Sequence, residues 1–381
     1  MRVLGVLISL ATIVIILMDG FETILQPRRV TRKYRLARFY YMFTWSFWRA
    51  IALQLIPIKR RAAFFASFGP LSLLGLFATW VVGLIFGFAL LHWSFATPLQ
   101  LTSGQPHFGS YLYLSGTTFF TLGYGDITPT SPLGRFLAVG ESGLGFGFLA
   151  ALISYLPALF QAYSRREGSI ALLDARAGSP PSAAQLLLRF AQAGNMAAVD
   201  PFLGEWERWS AELLESQLSF PILSYYRSQH DNQSWLAALT TILDACSFLM
   251  VQVKSAALYQ PQVTFAIARH AAVDLALILN ASARSDALER LTDADLNTLR
   301  QSLLDAGVEL HEPTAANARL RELRGMYDPF LQALAHRLSL SLPAVTPKET
   351  IADNWQRSAW MRPAPGIGSL PLATGNADHF T

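Results

Sequence analysis

The apolar stretch from Ala62 to Trp93 is the longest in this chain, and it limits the possible folds more than any other feature. A run of that length can cross a hydrocarbon layer as a helix, the form that satisfies its own backbone N–H and C=O groups there. Proline is tolerated in a helix's first turn, so Pro70 is expected near the start of the spanning part. That part is placed at Pro70 to about His92, with His92 and Trp93 at the interface. Val3 to Met18 is a second unbroken apolar run, just long enough with its flanks to span. A cleaved signal peptide is its rival. Only Arg2 precedes the run and Met18-Asp19-Gly20-Phe21-Glu22 offers no small-x-small cleavage site, which favours a retained helix. Another apolar stretch runs from Gly134 to about Gln161. Phe108 to Phe120 is too short to span and should dip in and return.

Between the last two segments the chain reads Ser115-Gly116-Thr117-Thr118-Phe119-Phe120-Thr121-Leu122-Gly123-Tyr124-Gly125-Asp126-Ile127-Thr128-Pro129. Thr118, Thr121, Gly123, Tyr124, Gly125 and Asp126 fall on the pattern Thr-x-x-Thr-x-Gly-Tyr-Gly-Asp. Through them the chain resembles prokaryotic potassium channels with a pore of two transmembrane helices and a single filter. The resemblance covers about Pro70–Arg166. Chemistry explains the spelling. Potassium passes quickly where oxygen ligands replace its water shell at similar free energy. A strand alternates its carbonyl directions. Alternating right- and left-handed backbone turns them to one axis, and glycine adopts the left-handed form without steric cost. Gly123 and Gly125 sit at alternate positions, as that geometry needs.

The resemblance implies a potassium-channel pore module: outer helix, pore helix (Phe108–Phe120), filter (Thr121, Leu122, Gly123, Tyr124, Gly125) and inner helix (from Gly134). It implies potassium ligands in the carbonyls of Thr121, Leu122, Gly123 and Tyr124, plus the Thr121 hydroxyl. Tyr124 would point outward and prop the filter, Asp126 would close the outer mouth, and Thr117 and Thr118 would support it. One departure is Phe120, where the family often has Thr. Its effect falls on conductance and cavity block more than on potassium preference. Gly145, with Gly143 beside it, matches the spacing of a gating hinge, and plain helix packing is an equal alternative. Glu141, a carboxylate about two turns into the inner helix, either supports the filter from behind or makes a structural contact. Four filter strands must surround an ion and each chain carries one, so a homotetramer is expected. Potassium is the permeant ligand, and no cofactor, catalytic residue or nucleic-acid partner is expected.

Charge orients the membrane half. Before Ser164 there are 12 Lys+Arg against 4 Asp+Glu, a balance of +8, and the remainder carries −4. Arg28, Arg29, Arg32, Lys33, Arg35 and Arg38 precede the apolar segment Phe39–Ile58, and Lys59-Arg60-Arg61 follows it. Basic short loops stay on the cytoplasmic side. Both flanks of Phe39–Ile58 are basic, so this segment is expected to lie in the inner interface, with Tyr40, Tyr41, Trp45 and Trp48 as belt residues. The expected arrangement is a multi-pass protein of the inner (plasma) membrane, N-terminus outside and C-terminal domain cytoplasmic. Arg28 to Arg61 could bind anionic lipid or serve topology alone. Thr97 to His107 reads as an external turret loop whose edge histidines, His92 and His107, are expected to be solvated rather than sensors.

The remainder reads as helical. The expected layout is an N-terminal transmembrane helix (1–26), a basic segment with an interfacial helix (27–61), the pore domain (62–166), a linker (167–182), a helical cytoplasmic domain (183–345) and a partly disordered tail (346–381). Ser182 is a plausible N-cap. Further helices are expected at about Pro201–Leu218, Ser234–Ala257, Thr264–Ser282, Asp293–Ala306 with Asp293 as cap, and Ala315–Ser339. Trp206, Trp209 and Leu213 share one face. No Gly-x-Gly-x-x-Gly follows a strand, so a Rossmann-type regulator is not expected. The single cysteine, Cys246, reads as a core residue. The functional alternatives are a membrane-bound sensor with a vestigial pore and a transporter subunit with a filter-like loop.

Overall fold

A computed structural model describes residues 2–24, 35–101, 104–230, 232–254, 258–283 and 289–347. The protein is an all-α membrane protein. Among the described residues, helices Arg2–Ile24 (α1), Ile58–Ser94 (α3), Pro132–Ala177 (α5) and Trp235–Gln252 (α8) are long and apolar enough to cross a bilayer. The apolar window of α8 is 89% buried in protein, against 28% for α1 and for α5. A helix already sheathed by protein has no face for lipid, so α8 is the core of a bundle and the other three remain the candidate membrane helices.

The first two membrane helices run antiparallel: Gly5 faces Ser94, Gly87 faces Ile13 and Gly83 faces Ile16. Asp19 near the end of α1 is fully buried. Its Oδ2 accepts from Trp80 Nε1 at 2.9 Å and from the backbone N of Ala37 at 3.0 Å. Ala37 lies in the first turn of α2 (Leu36–Gln54), where backbone N–H groups lack helical partners and an anion is favoured. One carboxylate thereby ties three helices together.

The aromatic residues expected at a lipid belt on α2 point into protein instead. Trp45 is 2% exposed. Its ring packs on Phe65, Phe68 and Tyr225, and its Nε1 donates to Arg337 O at 2.9 Å. Trp48 stacks on Phe64 with ring centroids 4.5 Å apart. Tyr41 stacks on Tyr225. Burying the ring while satisfying the indole N–H outweighs an interfacial position. The outward stripe of α2 is Phe39, Phe43 and Phe47.

Two further expectations change at α3. The helix begins at Ile58, so Pro70 lies in its interior rather than its first turn. His92 is fully buried rather than solvated, with Nδ1 3.2 Å from Thr97 Oγ1. The turret is not wholly loop: β1 (Leu99–Leu101) pairs antiparallel with β2 (Ile127–Pro129), Gln100 opposite Thr128. Helix α4 (Phe108–Phe119) follows the turret and is short, at 12 residues.

The expected linker at 167–182 is helical as far as Ala177, because α5 does not stop at the membrane. Ile170, Leu173 and Ala177, at helical spacing, are buried in the C-terminal bundle. The helix ends at Gly178, whose φ of 85° opens the turn. Arg166, 4% exposed, donates to Leu223 O and Tyr226 O, both at 2.9 Å. Tyr163 donates to Arg227 O at 3.0 Å. The Tyr225-Tyr226-Arg227 cluster is thus a buried junction between bundle and membrane helices.

The bundle comprises α6 (Ala183–Gln192), α7 (Val199–Ser219), α8, α9 (Tyr259–Ile278), α10 (Asp293–Asp305), α11 (Pro313–Gly325) and α12 (Asp328–Leu338). Ser182 caps α6, accepting from Gln185 N at 3.2 Å. The cap of α10 is Thr292, not Asp293, and Asp295 completes its capping box. The expected single helix Ala315–Ser339 is broken at Met326-Tyr327, because Tyr327 turns inward to donate to Asp244 Oδ1 at 2.7 Å. Asp244 also pairs with Arg290 at 3.0 Å and Arg324 at 2.7 Å, and Arg290 pairs with Asp328. Burial alone would raise the Asp244 pKa, but the two guanidiniums hold it below the ordinary aspartate value. Arg28 to Lys33 and most of the expected tail (348–381) lie outside the described residues.

Candidate ion-conduction site

The candidate site hangs between the end of α4 and β2. Left-handed backbone recurs at Thr121 (φ 57°), Gly123 (φ 55°) and Gly125 (φ 81°), and neither Leu122 nor Tyr124 between them has positive φ. This is the alternation that turns successive carbonyls to a common side. Glycine takes it freely at two of the positions; Thr121 takes it at a steric cost.

Local hydrogen bonds hold Thr121 where it is. Its backbone N donates to Thr118 O at 3.0 Å, and Leu122 N donates to Thr117 O at 2.8 Å. The Thr117 hydroxyl bonds back to Tyr113 O at 3.0 Å. Thr117 and Thr118 thus hold Leu122 and Thr121 through the last turn of α4. At the other end Tyr113 lies beside Asp126, and β2 is pinned to β1. Thr130 N donates to Pro98 O at 3.0 Å. Sequence reasoning missed Tyr113 and the strand pair. The available signal was a tyrosine on a short helix beside an acid expected at the mouth.

Thr121 through Asp126 are exposed, Leu122 to 54% and Tyr124 to 69%. Exposed with them is an apolar stripe on α5 that includes Phe136, Val139, Phe146 and Ile153.

Of the two candidate hinge glycines, Gly143 has nothing within 4 Å of an added Cβ. At Gly145 a Cβ would lie 2.2 Å from the Phe119 carbonyl oxygen. Gly145 is therefore where α5 meets the backbone end of α4, just before the candidate filter. Glu141 is fully buried one turn earlier, hydrogen-bonded to Ser115 on α4. The structure brings Glu141, Gly145, Thr117 and Thr118 together behind Thr121–Gly125.

Residues 75–162 match a protein-family model described as Ion channel. That segment holds most of α3, all of α4 and the membrane part of α5, and the match supports an ion channel in a membrane. Protein LctB of Geobacillus stearothermophilus is 44% identical over 43 residues, which is 11% of this chain and 31% of that protein. The chain thus spans under a third of the length of this curated relative. No solved structure matches the chain.

Proposed function

We propose that the chain is one subunit of a potassium-selective channel that conducts passively through a homotetrameric pore. The observation that carries this reading is the alternation of left-handed backbone at Thr121, Gly123 and Gly125. It suits carbonyls of Thr121, Leu122, Gly123 and Tyr124 lining one axis, where they replace water around a large cation. The exposed stripe on α5 supports assembly, because a second copy would cover Phe136 and Val139. Asp126 lies at the outer mouth and the C-terminal end of α4 faces the inner one. The positive-inside balance supports an N-terminus outside and a cytoplasmic bundle. That bundle is read as the regulator of the gate, because α5 enters it directly. Exposed Lys59 and Arg60 beside the apolar stripe of α2 suit anionic lipid in the inner leaflet.

The test is flux through the purified full-length protein in liposomes, with potassium and sodium gradients compared. Potassium-selective flux abolished by Gly123→Asp is expected. Silence in the wild type, persisting after truncation beyond Arg166, overturns the channel reading in favour of a sensor with a vestigial pore.

A further inference from the structure

Glu141 presents a hydrogen-bonding arrangement that only one arrangement of protons satisfies. Ser115 Oγ is hydrogen-bonded to Glu141 Oε1 and also lies 2.7 Å from Ile85 O. Glu141 Oε2 is buried with no hydrogen-bond partner among the described residues, and no cation pairs with the carboxyl group there. A serine hydroxyl has one proton to give, while a backbone carbonyl and an ionised carboxylate can only accept. With an ionised Glu141, one of the two contacts at Ser115 would be oxygen against oxygen with no hydrogen between them. An unpaired charge would also sit among packed helices at membrane depth, where it is costly. A carboxylic acid removes both problems: its proton goes to Ser115 Oγ, and the Ser115 proton goes to Ile85 O.

We infer that Glu141 is a neutral acid donating to Ser115, and that this two-proton relay is a positioning device for ion selectivity. It clamps α4 between Ile85 of α3 and Glu141 of α5. The clamp reaches the candidate filter over a short path. Two and three residues beyond Ser115, the carbonyls of Thr117 and Thr118 accept from Leu122 N and Thr121 N. A displaced α4 therefore moves the first candidate ligands directly. The inference rests on the filter reading of Thr121–Gly125, and the charge state it assigns can be tested apart from that reading.

The experiment compares Glu141→Gln, Glu141→Ala and Ser115→Ala with wild type in full-length protein. Two readouts are the potassium-to-sodium flux ratio in liposomes and the infrared difference spectrum of wild type minus Glu141→Gln in membranes at neutral pH. Glutamine keeps the shape and offers an N–H to Ser115, so it is expected to hold the ratio within about twofold, whereas Ser115→Ala strands the buried acid and Glu141→Ala leaves a cavity and cuts α4 from α5, and each is expected to lower it about tenfold. The infrared spectrum is expected to show a carboxylic-acid C=O band that Glu141→Gln removes. A glutamine variant as damaged as alanine, or an infrared difference holding only carboxylate bands, overturns the inference. If an alanine variant does not assemble, the glutamine ratio and the infrared band still decide. Wild-type protein without selective flux refutes the filter reading instead, and the infrared band then decides the proton alone.

Discussion

Gly145→Ala distinguishes a packing role from a hinge role. An alanine Cβ at this position would lie 2.2 Å from Phe119 O and 3.0 Å from Phe119 C, where ordinary contact begins at 3.4 Å. The obstacle is backbone at the end of α4, so no side-chain rotation relieves it. Helices α4 and α5 must separate by about 1.2 Å, or the last turn of α4 must deform. Overpacking of this kind costs about 1–3 kcal/mol. That is a factor of roughly 5–150 on any equilibrium it opposes. The displaced turn carries Thr117 and Thr118, so the damage should appear in selectivity. The assay is the potassium-to-sodium flux ratio, read beside the thermal midpoint of the purified protein. Gly145→Ala should lower both, and Gly143→Ala, with nothing near its added Cβ within the subunit, should lower neither through this contact. A pure hinge predicts altered open probability with selectivity and midpoint intact, and that pattern would refute the packing argument.

Two predictions concern the bundle. Asp244→Asn removes the charge facing Arg290 and Arg324 and should cost about 3–5 kcal/mol. It should be read as an earlier midpoint in tryptophan-fluorescence melting of the full-length protein. Because the folded pKa of Asp244 is depressed, its contribution is complete above the ordinary aspartate value of 3.8 and fades as pH falls below it. Wild type should therefore lose more stability than Asp244→Asn on acidification through that range, and parallel curves would count against the assignment. Arg166→Ala removes two charge-assisted bonds, each worth about 1.5–3 kcal/mol. In single-channel recording it should change open probability while leaving the potassium-to-sodium ratio as it was. A changed ratio with unchanged gating would place Arg166 with the filter rather than with the junction.

The features legible in the sequence were those encoded by local backbone needs. Gly123 and Gly125 announce left-handed backbone wherever they lie, and the structure has it there. Glu141 stood out because a carboxylate in an apolar helix is unusual. Its partner was not legible, since Ser115 is one of many small polar residues and only the crossing of α4 and α5 selects it. The burial of Trp45 depended on which of two aromatic faces of α2 meets protein, and its own helix does not encode that choice. Some signals were present and outweighed. Ile170, Leu173 and Ala177 already show helical spacing, but Ser164-Arg165-Arg166 reads as a membrane exit and draws the boundary too early. Gly325 and Pro329 likewise bracket the break between α11 and α12.

The unbroken course of α5 makes its length a matter of helical phase. At 1.5 Å per residue its 46 residues amount to about 69 Å of helix, from the end of β2 into the core of the bundle. Each residue added between Gly145 and Arg166 would turn everything below it by about 100°. Arg166 would then swing away from the Leu223 and Tyr226 carbonyls, and the bundle would meet α2 and α3 with a different side. Seven added residues, nearly two full turns, restore the phase to within about 20° while lengthening the rod by about 10 Å. Changes in the length of this helix are therefore tolerated only in steps that keep the phase, as in a shaft whose two ends are keyed.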